Sequence, residues 1–181
     1  MKKIDTGLKG AFIFECDIQY DNRGMEIPLY SKKEYDILGI NTEFVETTIY
    51  QIESKNTFYG IHYQNNPKPQ SKIIKCLKGC GMDYVVDLRK DSLTYKRWVS
   101  IYLSAKNNKQ IFIPPGFGHA FLSIMNDTHL FFSIDEYFDP HYSGAISYKD
   151  PEIKLPIRCN SFIQSEYDKS APFLKDSNCS F

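Results

Sequence analysis

This sequence has no run of one charge sign, no membrane-length apolar stretch and no second cysteine pair, and each absence removes a class of function. Basic and acidic residues balance at 22 each, for a formal net charge of zero. Charge therefore gives no support to a nucleic-acid or membrane-surface role, although a small anionic ligand needs only a few local cations. The opening M-K-K-I-D-T-G-L-K-G carries no apolar stretch long enough for a signal peptide, and no window approaches a membrane span. The expectation is a soluble, cytoplasmic protein with no membrane partner. The cysteines are odd in number and scattered: Cys16, Cys76, Cys80, Cys159 and Cys179. Zinc sites normally draw four ligands from two close pairs, and nothing follows the single C-L-K-G-C spacing of Cys76 and Cys80. The five read as reduced thiols.

What the chain does have is aromatic mass. Thirteen Tyr and 13 Phe bring aromatics to 15% of 181 residues, within an apolar fraction of 42%. That fraction suffices for a full core, and rings fit the pleated surface of sheets. Residues 10–16 read as a first strand. Residues 31–38 read as a short helix, with Ser31 as cap, Glu34 three residues on as in a capping box, and Gly39 as stop. Residues 43–52 are extended. Strands then follow one another at 57–64, 71–77, 82–88, 98–104, 110–113, 119–125 and 129–138. Asn65-Asn66-Pro67-Lys68-Pro69 forms a loop, and tight hairpins are expected at Gly79–Gly81 and Asn107–Asn108. Met82, Tyr84, Val86 and Leu88 share one face; Val99, Ile101 and Leu103 share another, with Trp98, Tyr102 and Ser104 opposite. That alternation predicts antiparallel strands with one face inward and one wet. Residues 151–157 look extended, and 161–176 holds one short helix before Pro172. No repeat, linker or low-complexity tract interrupts 1–181, so one all-β domain is expected, a sandwich or small barrel with short peripheral helices.

Two histidines sit inside strong strand patterns: His62 in F-Y-G-I-H-Y-Q and His119 in P-P-G-F-G-H-A-F. A lone strand histidine is by default a hydrogen-bonded core group. The P-P-G-F-G-H stretch, however, resembles the second motif of cupin-type jelly rolls. Metal-binding cupins also supply H-x-H from an earlier strand. Here that place reads His62-Tyr63-Gln64, so the metal cage lacks a ligand and no metal or other cofactor is expected.

The resemblance sharpens over nearly the whole chain. D-N-R-G (21–24), G-I-H-Y-Q (60–64), Lys72 in S-K-I-I-K, the block from Met82 to Leu122, Y-F-D-P (137–140), K-D-P-E-I (149–153) and S-E-Y-D (165–168) are similar, in order, to the dTDP-4-dehydrorhamnose 3,5-epimerase family. The resemblance implies a cupin-like jelly roll that acts on a nucleotide-diphosphate sugar carrying a 4-ketone, in deoxysugar or capsule synthesis. A hydrogen beside that ketone is acidic because the charge left behind spreads onto oxygen as an enolate. The reaction needs a base on one face, a cation at the oxygen and an acid on the other face. By resemblance His62 is the base, since imidazole titrates near neutrality. Asp168 holds its tautomer, and Lys72 meets the enolate oxygen. His119 and Arg23 bind sugar or diphosphate, Arg through its planar fork, and Tyr59, Gln64 and Phe138 complete the substrate contacts. The resemblance also implies a homodimer that exchanges N-terminal strands.

Four departures from the family stand out. Phe132 occupies the place of a proton-donating Tyr. Either inversion occurs at one carbon, or another group or water is the acid, or the register differs by a residue or two; Tyr137 is the nearest candidate. Tyr59 replaces an Arg. Glu26 and Pro28 replace an aromatic and a Glu. The polar run at 47–51, T-T-I-Y-Q, keeps little of the family pattern. Because these changes cluster on recognition, the nucleotide is left open between dTDP and GDP, and the sugar between hexose and heptose. Two other functions remain in play: a cupin-type 3,4-ketoisomerase, and a non-catalytic sugar-binding jelly roll, which Phe132 favours.

Overall fold

The computed structural model describes residues 1–157 and 161–181; the expectation for Cys159 lies outside the described residues. Among the described residues thirteen strands run in chain order: β1 (Lys2–Asp5), β2 (Phe12–Glu15), β3 (Gln19–Asp21), β4 (Gly24–Glu26), β5 (Glu46–Ile52), β6 (Phe58–Gln64), β7 (Lys72–Lys78), β8 (Cys80–Asp87), β9 (Trp98–Ser104), β10 (Lys109–Ile113), β11 (Phe117–Ser123), β12 (Thr128–Ile134) and β13 (Ser143–Ala145). A short helix, α1 (Lys32–Ile37), lies between β4 and β5, and a second, α2 (Glu166–Lys169), follows β13. Ser31 caps α1 as its sequence predicts, accepting the Glu34 amide proton, and Gly39 follows the helix at φ +78°.

Two antiparallel sheets face each other, with strand orders β1-β2-β10-β7-β12-β5 and β13-β6-β11-β8-β9, and β3 pairs with β4 in a separate ribbon. This is the jelly-roll architecture expected. The tight turns at Gly79 and Asn107–Asn108 are real, with Gly79 at φ +72° and Asn108 at φ +52°. They do not make hairpins. β7 and β8 belong to different sheets, as do β9 and β10, so each turn carries the chain across the roll. Local turn chemistry is the same for both outcomes, and which one occurs depends on strands distant in sequence.

The core lies between the sheets, where Ile52, Ile74, Val85, Ile101, Leu103, Ile111, Phe121 and Leu130 interdigitate. The alternation along β8 and β9 is as predicted, and Tyr102 on the outer face of β9 is exposed, but the outer face of β8 is not wet. Tyr84, Val86 and Leu88 pack under the C-terminal segment with Ile146, Ile153 and Leu174. The outer face of the six-stranded sheet is covered likewise, where Phe14, Ile73, Phe112 and Phe131 meet Tyr35 of α1 and Ile40. Both sheets are thus buried on two sides over much of their area, which accounts for the high aromatic content. Residues 151–157, expected to be extended, begin instead with a turn at 151–153. There the carboxylate of Asp150 accepts from the amides of Glu152 and Ile153, at 2.8 and 2.9 Å, a local bond that competes with a strand.

Candidate active site

His62 points into the roll because β6 carries one residue too many. Its ladder with β11 pairs His119 with His62 and then Phe121 with Tyr59, three residues on β6 against two on β11. This is a β-bulge. Tyr59 therefore joins the core between the sheets while His62 and Gln64 line a cleft, and Phe58, Ile61 and Tyr63 pack outward, Tyr63 also reaching the edge of the cleft. Gly60 makes the bulge possible. It sits at φ +112°, and a Cβ there would lie 2.5 Å from the His119 carbonyl oxygen and 2.6 Å from the Ala120 Cβ.

The C-terminal segment brings the carboxylate. Phe58 donates its amide to Ile163 at 2.9 Å and Ile163 returns one to Asn56 at 3.0 Å, which lays α2 against β6. Ser165 caps α2 by accepting the Asp168 amide at 3.1 Å. Asp168, buried, then accepts from Nε2 of His62 at 2.5 Å. The His62 side chain keeps 35% of its surface exposed, and the Tyr167 ring stands 5.9 Å from the imidazole.

Lys72 enters the same cleft from the facing sheet, at the start of β7. Among the described residues nothing hydrogen-bonds its ammonium, which lies 5.8 Å from the centre of the Phe132 ring. Burial pushes its pKa down to about 8, against the opposing pull of Asp83 and Asp135. The group is therefore still mainly a cation at neutral pH. Asp83 is wholly buried, accepts from Nε2 of His119 at 2.8 Å, and leaves Oδ1 without a hydrogen-bond partner among the described residues.

The other expected site residues divide. Phe138 lines the cleft, which has a volume of about 430 Å³. Gln64 lines it too, but its amide is engaged by backbone: Nε2 donates to the carbonyls of Lys68 and Tyr137 at 2.7 and 3.0 Å, and Oε1 accepts from Asp139 at 2.9 Å. Its polar groups hold the loop that presents Phe138 rather than facing a ligand. His119 is not on the cleft wall; its ring stands beside Phe132, 6.4 Å between centres. Tyr59 also stays behind the wall, 5.9 Å from the Tyr50 ring, with burial and then Asp168 raising its phenol pKa. Tyr137 is largely exposed and does not line the cleft; Phe138, just as exposed, does, on the loop whose Tyr137 carbonyl accepts from Gln64. Arg23 is far more remote. It sits on the β3–β4 turn with 87% of its side chain exposed, paired to Asp21 at 2.5 Å. Thr48 and Tyr50, from the 47–51 run noted above only as a departure from the family pattern, line the cleft, as do Glu46 and Tyr167, which the sequence reading did not single out. The two-residue period of an extended strand puts positions 46, 48 and 50 of E-T-T-I-Y-Q-I on one face, although polarity does not alternate there.

A family model described as dTDP-4-dehydrorhamnose 3,5-epimerase matches residues 5–176. The chain belongs to this family. A dTDP-4-dehydrorhamnose 3,5-epimerase of Methanothermobacter thermautotrophicus is 31% identical over 177 residues, covering 96% of this chain and 95% of the relative. The crystal structure of the Bacillus anthracis enzyme with TDP and PPi bound superposes with a TM-score of 0.92 at 35% identity, covering 96% and 99% of the two chains. A Legionella pneumophila 3,5-epimerase in complex with dTDP-4-keto-L-rhamnose gives 0.91 at 30% identity, covering 96% and 93%. In this member of the epimerase family, a histidine with an orienting carboxylate and a cation on the facing sheet share one cleft. That grouping is equipped for proton abstraction beside a carbonyl. Among the described residues no three His, Cys, Asp or Glu side chains cluster as metal ligands would.

Proposed function

We propose that the chain inverts C3, C5 or both in a nucleotide-linked 4-keto sugar. The observation that carries this reading is the His62–Asp168 contact in the cleft that also holds the Lys72 ammonium. With Nε2 donating to Asp168, the lone pair of neutral His62 lies on Nδ1. That nitrogen takes the proton from the carbon beside the ketone, and the C–H electron pair moves into a carbon–carbon double bond. The carbonyl electrons move onto oxygen, where Lys72 balances the charge. One such donor is typically worth about 2.7–4 kcal/mol in the transition state. Phe138 is suited to stack on the nucleotide base. Gln64 acts by holding the 137–139 loop, and His119 and Tyr59 by packing behind the cleft wall.

The reading takes residues 1–181 as one domain of a cytoplasmic protein that works as a homodimer. In that dimer the β3–β4 ribbon delivers Arg23 to the diphosphate in the partner's cleft. dTDP and GDP, hexose and heptose, are all compatible with the exchanged recognition residues.

The test is solvent exchange. In deuterated buffer, TDP- and GDP-linked 4-keto sugars are followed by NMR at C3 and C5. One of them is expected to acquire deuterium in the presence of the protein, and a folded His62→Asn variant is expected to lose the exchange by about 10²–10⁴-fold. Exchange that persists in His62→Asn removes the imidazole from its role. Binding with no exchange by the wild type supports the non-catalytic jelly roll, and a carbonyl found at C3 supports the ketoisomerase.

A further inference from the structure

The place expected to hold a second proton donor holds Phe132, whose ring has no proton to give. The neighbouring strand supplies what is missing. β5 pairs with β12 so that Leu130 lies opposite Tyr50 and Phe132 opposite Thr48, which puts Tyr50 and Phe132 diagonally adjacent on the inward face. Their rings meet edge to face, 5.5 Å between centres. Tyr50 lines the cleft, and its hydroxyl has no hydrogen-bond partner among the described residues. Most important, β5 and β6 belong to opposite sheets, so Tyr50 and His62 approach the cleft from opposite walls.

We propose that Tyr50 is the acid that reprotonates the substrate carbon on the face opposite His62, replacing the phenol lost at position 132. This rests on the epimerase reading above. The two sequence departures, Phe132 and the rewritten 47–51 run, then become one compensated change: the phenol has moved one strand sideways. The other hydroxyls are less well placed. Tyr63 donates its proton to Asn178 at 2.6 Å, Tyr167 stands on the His62 side of the cleft, and Tyr59 shares a strand with His62. Thr48 and Ser143, which also line the cleft, carry aliphatic hydroxyls, far weaker acids than a phenol. Burial raises the Tyr50 phenol pKa, so the group is protonated and available at neutral pH.

The step balances as follows. After His62 has taken the first proton, the enolate oxygen re-forms the carbonyl, and the double-bond pair takes the proton of the Tyr50 hydroxyl. A new C–H bond forms with inverted geometry, leaving a phenolate at Tyr50 and an imidazolium at His62. Water returns a proton to the phenolate and accepts one from the imidazolium, which restores both groups.

Tyr50→Phe separates inversion from exchange. In deuterated buffer, NMR reads exchange as loss of the C–H signal and inversion as growth of the epimer's signals. The substrate is whichever 4-keto nucleotide sugar the wild type turns over. The variant is expected to invert about 10²-fold more slowly while exchange by His62 stays within about threefold of wild type. Deuterium then enters with retention, because His62 must return it to the face it came from. Adding Phe132→Tyr is expected to restore inversion. A Tyr50→Phe protein that inverts at the wild-type rate overturns the proposal, and so does one with an unchanged melting temperature that loses exchange and inversion together. If the wild type shows no exchange, the epimerase reading itself has failed, a result distinct from either.

Discussion

At the scale of single residues, Lys72 is held as a charge at a cost. Its ammonium is buried without a hydrogen bond among the described residues, and burial lowers its pKa from 10.5 to about 8. The folded protein thus favours the neutral form, and the penalty for holding the charge is fully present below pH 8. It fades as pH rises and is gone above the unfolded value of 10.5. The depression corresponds to about 3 kcal/mol. Lys72→Met removes the penalty and the cation together. The variant is expected to melt at a higher temperature than wild type below pH 8, with the difference vanishing near pH 10.5, while its exchange rate falls about 10²–10³-fold. In the wild type, exchange should decline as pH climbs through about 8, because the enolate then faces a neutral amine. Calorimetry and exchange rates across this range check both signs. A Lys72→Met protein that is less stable at pH 7 and no less active would show that the ammonium is neither a burden nor a catalyst.

At the scale of elements, the strand pattern was legible and the sheet partners were not. Seven strands between 57 and 138 sit within a few residues of where alternation and turn residues put them. β1, β3, β4 and β13 were missed because three or four residues carry too little periodicity to register. The feature that matters most to the site, the β6 bulge, left only one mark: a glycine inside a strand pattern. Simple alternation from an inward Tyr59 would aim Ile61 inward and His62 out. The bulge reverses this, and Gly60 is what the bulge requires. Gly60→Ala forces a side chain into positive φ and against the backbone of β11. It is expected to cost about 2–4 kcal/mol, lowering the melting temperature by about 5–15 °C for a chain of this size, and to depress exchange more than a destabilised but intact site would. Wild-type melting and wild-type exchange in Gly60→Ala would mean that the backbone absorbs the Cβ without moving His62.

At the scale of the whole molecule, the residues proposed to carry the chemistry were readable as motifs, but their assembly was not. His62 and Asp168 are 106 residues apart, and only the fold of the C-terminal segment joins them. Arg23 is the informative exception, since the fold of one chain leaves it outside. All six residues of the β3–β4 ribbon are exposed, Tyr20 and Met25 among them. An isolated two-stranded ribbon is marginal in water, so it needs a surface to lie on. Its exposed Arg23–Asp21 pair is the kind of contact that yields readily to a better partner. If the ribbon crosses to a second subunit, each cleft is built from two chains, and inactive variants should complement each other. Arg23→Ala keeps a complete cleft wall but brings no arginine to its partner; His62→Asn brings the arginine but has no base. Co-expressed in equal amounts, half of the dimers are mixed. Each mixed dimer has one complete cleft of two, so activity is expected to return to about a quarter of wild type. If Arg23 acts within its own chain, no mixed dimer contains a complete cleft, and the co-expressed pair stays as inactive as either variant alone.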